Sequence, residues 1–145
     1  DVQYKVSQNL KFLGNIAVGM NNHMGSHVTS SANHMNQVFD ILAQNKLFFL
    51  DSVTTPKPAS RTLRKNALIP ILERDIFLDH YIDEEKIMYY LQKTEEKARK
   101  QGYAIAIGHP HPATRKALLN WIPTLKEKGF TLVPITHILK QKGLS

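Results

Sequence analysis

Residues 15–27 read Asn15-Ile16-Ala17-Val18-Gly19-Met20-Asn21-Asn22-His23-Met24-Gly25-Ser26-His27. A short apolar run stops abruptly and hands over to a loop of amides, a glycine and two histidines. That pattern predicts a buried strand over Ile16–Val18 that delivers polar side chains into a loop. His23 and His27 are four apart. They can converge on one metal ion if the backbone between them is helical or tightly turned.

The same handover recurs along the chain. The wholly apolar Leu47-Phe48-Phe49-Leu50 predicts a strand buried on both faces, and Asp51, Ser52 and Thr54 follow it. A strand around Asp75–Leu78 leads to Asp79 and His80. A strand over Tyr103–Ile107 leads to His109 and His111, and one over Phe130–Val133 leads to Thr136 and His137. Between these runs the apolar residues repeat at helical spacing. Helices are expected up to Leu13 from about Ser7, over Asn33–Asn45, over Ser60–Leu68 with Ser60 as its N-cap, and over Asp83–Gln101. Further helices are expected over Ala113–Lys128, with Pro123 bending it, and over Ile135–Gln141. Asp83 at one end and Gly102 at the other punctuate the clearest helix.

Strands alternating with helices imply an α/β fold with a parallel sheet of about five strands covered by helices. No repeat or linker interrupts residues 1–145, which read as a single domain. In parallel α/β folds the sites form where strands end and helices begin. Here every predicted strand ends in groups that bind metals or move protons. The opposite rim carries mainly Asn45-Lys46, Gln101-Gly102 and Lys128-Gly129.

Composition removes several function classes. The chain has 145 residues and no cysteine, which excludes disulfides, thiolate catalysis and cysteine-bound zinc. No apolar run approaches the roughly 20 residues of a membrane-spanning helix. The net charge of +7 is spread along the chain rather than gathered into a basic stripe with aromatics, so nucleic acid is not the expected partner.

The residues singled out also have structural readings. Asp51 and Asp79 can cap turns or helices, and His27 can be a solvated residue at a helix start. His34 and His137 read as structural or exposed.

Four segments in order resemble the divergent polysaccharide deacetylases, relatives of the NodB-type carbohydrate esterases. They are Asn21-Asn22-His23-Met24-Gly25-Ser26, Phe49-Leu50-Asp51-Ser52 with Thr54, Arg74-Asp75-Ile76-Phe77-Leu78-Asp79 and Ile107-Gly108-His109-Pro110. The resemblance runs from about Leu10 to Leu139. It implies a partial, distorted (β/α) barrel and a divalent metal, typically zinc, held by His23 and His27. It implies catalytic roles for His109, Asp51 and Asp79, with His109 protonating the departing amine. Asn22, Ser52 and His111 are then expected to bind substrate, an N-acetylated polysaccharide of the bacterial periplasm or cell envelope. The alternative is a non-catalytic glycan-binding or scaffold protein on the same fold. The family opens with an apolar strand and paired aspartates that this chain does not contain. The third metal ligand and the catalytic base are therefore expected upstream of Asp1, in an N-terminal segment of the same protein that the site needs. Where this chain has His27, the family often has a basic residue.

Overall fold

A computed structural model describes residues 2–144. They form two compact units, one running to Glu73 and one spanning Arg74–Gly143. Both are α/β with parallel strands. The strands make two separate sheets and no closed barrel among the described residues.

In the first unit, helix α1 (Val2–Leu13) leads through a 3₁₀ turn (Gly14–Ile16) into strand β1 (Gly19–Asn21). The strand therefore begins after the Ile16–Val18 segment expected to form it. Gly19 is where the sheet needs a glycine, since a Cβ there would lie 2.4 Å from the Phe48 ring. A short helix α2 (Ser26–Thr29) and helix α3 (Ala32–Gln44) follow, then strand β2 (Phe48–Asp51), helix α4 (Ala59–Leu63) and strand β3 (Ile71–Glu73). The sheet order is β1-β2-β3 with all neighbours parallel, so β2 is central. Its position explains its composition, since a central strand of a covered sheet has no polar face. Phe49 is buried among Met35, Val38, Phe39 and Leu42 of α3, with Ile71 of β3 in the same cluster.

Two expectations for this unit change. The helix expected over Ser60–Leu68 ends at Leu63, and its N-cap is Pro58 rather than Ser60. The segment Ile71–Glu73, not anticipated as a strand, pairs with β2. Pro70 precedes it by one residue, where a missing N–H costs the ladder nothing, and its carbonyl accepts the N–H of Phe49 at 2.9 Å. Glu73 at the end of β3 pairs with Arg61 at 3.1 Å and Arg64 at 3.0 Å. Two neighbouring arginines thus share an acidic partner inside the fold.

In the second unit, strand β4 (Ile76–Phe77) pairs in parallel with strand β5 (Ala106–Ile107), and helix α5 (Glu84–Gln101) connects them. The Asp83 carboxylate accepts the N–H of Lys86 at 3.0 Å and caps α5, while Gly102 ends it at φ 88°. Ile87 and Leu91 face the core with Ala117 and Trp121 of helix α6 (Pro112–Trp121). Helix α6 stops well short of Lys128. Pro123 lacks the N–H to continue it, and Ile122–Thr124 tightens into a 3₁₀ turn. Glu95 ties the far end of α6 to α5, accepting Trp121 Nε1–H and the Lys128 ammonium, each at 2.7 Å. Burial pushes the Glu95 carboxyl up, and these bonds with the Lys128 and Arg99 charges outweigh it, so the group sits below its ordinary range.

The last expected strand, Phe130–Val133, is irregular and has no sheet partner among the described residues. Leu132 and Val133 are exposed there. An apolar run signals a preference for extended backbone, but a strand exists only where a second edge meets it. Helix α7 (Ile135–Gln141) closes the unit as expected. No described helix is long and apolar enough to cross a membrane.

Candidate functional site

The second unit brings together Asp79, His109 and His111. The register of the small sheet does this directly. Phe77 is level with Ile107, so the residues two places on, Asp79 and His109, emerge side by side. The Leu78 N–H extends the pairing by bonding to the Ile107 carbonyl at 2.8 Å. Asp79 is buried. Its Oδ1 lies 2.9 Å from His109 Nδ1, and its Oδ2 accepts the His109 backbone N–H and the Thr114 hydroxyl at 2.9 Å.

Burial pushes the Asp79 carboxyl up. The bonds from the His109 side chain, the His109 backbone and Thr114, with the His109 charge, more than reverse this, so it lies below its ordinary 3.8. An ionised carboxylate only accepts hydrogen bonds, so Nδ1 of His109 carries the hydrogen. Proton exchange then falls to Nε2, across the ring.

Thr114 escapes a reading of the sequence alone, and Gly108 enters it only as part of a motif. Thr114 comes from the first turns of α6. A Cβ on Gly108 would lie 3.2 Å from the Thr114 methyl and 3.3 Å from Leu78. Glycine there lets the loop pass close enough for Thr114 and His109 to share one carboxylate.

His111 is the N-cap residue of α6, and its ring lies 6.0 Å from that of His109. One ligand atom from each of Asp79, His109 and His111 lies within 4.8 Å of the others, close enough to share a metal ion. The Phe77 ring lies 5.4 Å from His109, and Arg74 sits over that ring. A cavity of about 650 Å³ in this unit is lined by Glu95, Arg99, Trp121 and Ile138, among others, and by none of these three residues.

The first unit gathers Asn22, Asp51 and Ser52 where β1 and β2 end. The Ser52 N–H donates to Asn22 Oδ1 at 2.8 Å and its hydroxyl to the Asn22 carbonyl at 2.5 Å. Asn21, part of the same motif as Asn22 but not expected as a site residue, adds bonds from its amide to the Leu50 carbonyl and Ser52 Oγ, both 2.7 Å. Two of the three expected substrate contacts, Asn22 and Ser52, are thus bonded to each other and weld adjacent loops.

Asp51 is fully buried. Its Oδ1 accepts the Val53 N–H at 2.7 Å and its Oδ2 the Ser60 hydroxyl at 2.5 Å. The carboxylate anchors α4 and holds Val53 at φ 54°, a costly conformation for a β-branched residue. Replacing Ser60 with alanine leaves one buried carboxylate oxygen without its donor. The expected cost is about 1–3 kcal/mol, read as a lower urea midpoint with unchanged slope.

His23 lies exposed in the loop after β1, where Met24 (φ 55°) and Gly25 (φ 79°) are both left-handed. His27 is exposed on α2, and its ring neighbour is His34 of α3, with centroids 5.9 Å apart.

The family model for divergent polysaccharide deacetylases matches residues 1–139. The chain belongs to the divergent polysaccharide deacetylase family. Among relatives, it is 37% identical over 125 residues to the uncharacterized protein YibQ of Escherichia coli K12, covering 86% of this chain and 39% of that protein. It is 39% identical over 111 residues to an uncharacterized protein of Haemophilus influenzae, covering 77% of this chain and 40% of that one. The chain therefore spans about two fifths of the length of these relatives. The fold is similar to the crystal structure of the uncharacterized protein ATU2773 from Agrobacterium tumefaciens C58. The TM-score is 0.86 at 20% identity, over 95% of this chain and 57% of that one. Membership of this deacetylase family makes the Asp79–His109 pair, set at a strand-end rim, the part of the molecule with the most direct chemical reading.

Proposed function

We propose that this chain is part of a metal-dependent hydrolase that removes N-acetyl groups from a cell-envelope polysaccharide in the bacterial periplasm. The observation that carries the reading is the buried Asp79 carboxylate bonded to His109 Nδ1. Such a pair fixes the ring orientation and its tautomer. That suits His109 to give a proton from Nε2 to the departing amine. Asp79 acts through His109 and is a positioning residue, as is Asp51 through the loop it anchors.

His23 and His27 would hold a zinc ion. Imidazole nitrogens suit zinc, nickel and copper and do not suit magnesium or calcium, and the nitrogen-rich surroundings of His27 fit that class. A bound zinc polarises a carbonyl and lowers the pKa of water. The general base and one further ligand come from an N-terminal segment before Asp1. Asn22 and Ser52 shape the floor on which the sugar rests, and His111 contributes beside His109.

The test is acetate release from chito-oligosaccharides and peptidoglycan fragments by the full-length, zinc-loaded protein, with a chelated control. Release that chelation abolishes supports the proposal. Saccharide binding with no release under any metal condition would instead establish a non-catalytic glycan-binding protein.

A further inference from the structure

Helix α2 and helix α3 meet at a tight corner, and two imidazoles face across it. Ser31 forms the corner. Its N–H donates to the Val28 carbonyl at 3.0 Å, and its hydroxyl accepts the His34 N–H at 3.3 Å. The Ser30 hydroxyl donates back to the His27 carbonyl at 3.3 Å. Thr29, buried just before the corner, shares a hydrogen bond with Thr54 at 3.2 Å. The corner is thus held from both sides, and His27 and His34 sit on its two arms.

Their ring centroids are 5.9 Å apart at an interplanar angle of 50°. This is too far for stacked rings in contact. It suits a different relation. With metal–nitrogen bonds of about 2.0–2.1 Å, two imidazoles on one ion place their centroids about 5–6.5 Å apart.

The second observation is independent of that distance. Nδ1 of His34 is buried and has no hydrogen-bond partner, the one side-chain atom among the described residues in that condition. A buried polar atom left unpaired costs about 1–3 kcal/mol, and in a native fold it calls for an explanation such as an ion. The sequence alone makes His34 a structural or exposed residue of a helix. The tertiary corner makes it the neighbour of His27.

We infer that His34 is a metal ligand that chelates, together with His27, a divalent ion of the zinc, nickel and copper class. The inference rests on the proposed metal role of His27 and alters its partner. The second nitrogen comes from across the α2–α3 corner, seven residues on, in addition to any contribution from His23. Two neutral nitrogen donors exclude magnesium and calcium from this pair.

The probe is Cu²⁺ added to the full-length protein, followed by calorimetry and by electron paramagnetic resonance, which counts coordinated imidazole nitrogens. Even removing a hydrogen-bond partner of a ligand costs about 10–100-fold in metal affinity, so removing a ligand costs at least about tenfold. His34→Gln and His34→Asn are measured in parallel, each checked for folding by circular dichroism, so that the result does not hinge on one variant. The expected result is that both, like His27→Gln, weaken Cu²⁺ at this site at least tenfold and lower the nitrogen count by one. His109→Gln, in the second unit, leaves this site unchanged. Wild-type affinity and nitrogen count in both His34 variants would overturn the inference. In that case His23→Gln separates the two ideas. If it loses the ion, the His23–His27 reading stands and only His34 falls. If neither His23→Gln nor His27→Gln alters binding, both fall together.

Discussion

Replacing His109 with alanine cuts acetate release about 10²–10⁴-fold, the range that a positioned general acid contributes. The loss falls on kcat more than on KM, because in the proposed reaction the ring acts on the departing amine in the transition state and adds little to ground-state binding. The fold tolerates the change. The ring is partly exposed, and the His109 backbone N–H that bonds to Asp79 survives any side chain. Far-ultraviolet circular dichroism and the melting temperature should therefore stay near wild type while turnover collapses. Turnover within a few-fold of wild type would remove His109 from the chemistry and with it the main support for the hydrolase reading.

Asp79→Ala is expected to damage both stability and turnover. It takes away the carboxylate that both the His109 N–H and the buried Thr114 hydroxyl donate to. Two donors that lose this buried acceptor together cost about 2–6 kcal/mol. Turnover falls as well, because the ring loses the carboxylate that orients it through Nδ1–H. The gentler Asp79→Asn keeps the shape and exposes a pH signature. The Asp79 carboxyl is held below its ordinary 3.8 in the fold. A depressed acid contributes stability above its unfolded value, and that contribution is lost as the pH falls through the folded value. Wild type should thus exceed Asp79→Asn in melting temperature at neutral pH, with the gap closing as the pH drops below about 4. A gap that stays constant from pH 7 to pH 3 would mean that the carboxylate charge adds nothing to the fold.

The contrast between Asp79 and Asp51 shows what a sequence conveys about a site. Both follow a buried apolar run, and nothing local separates them. In the fold, Asp79 receives a titratable ring from the adjacent loop, whereas Asp51 receives a serine hydroxyl and a backbone N–H. The difference lies in residues 30 and 9 positions away, respectively. Ser60 illustrates the same point. Its type and position suggested a helix cap, but its hydroxyl is spent on a carboxylate that only tertiary packing could bring to it.

Element types were largely legible. The α3 face of Val38, Ile41 and Leu42 is buried as its spacing requires, and α5 starts and stops at its cap residues Asp83 and Gly102. These features depend on nearest neighbours along the chain, which a sequence displays. The β3 strand and the irregular 130–133 run were not legible, because strand formation depends on a partner edge far away in sequence.

The sequence by itself determined the α/β alternation, the absence of cysteine chemistry and the family, through short motifs whose residues are contiguous. Only the tertiary structure decided which polar groups meet: His109 with Asp79 and Thr114, Asn22 with Ser52, and His27 with His34. The physical reason is that hydrogen bonds and metal sites act over about 3 Å, a range that strand register and helix corners control and that spacing along the chain does not encode.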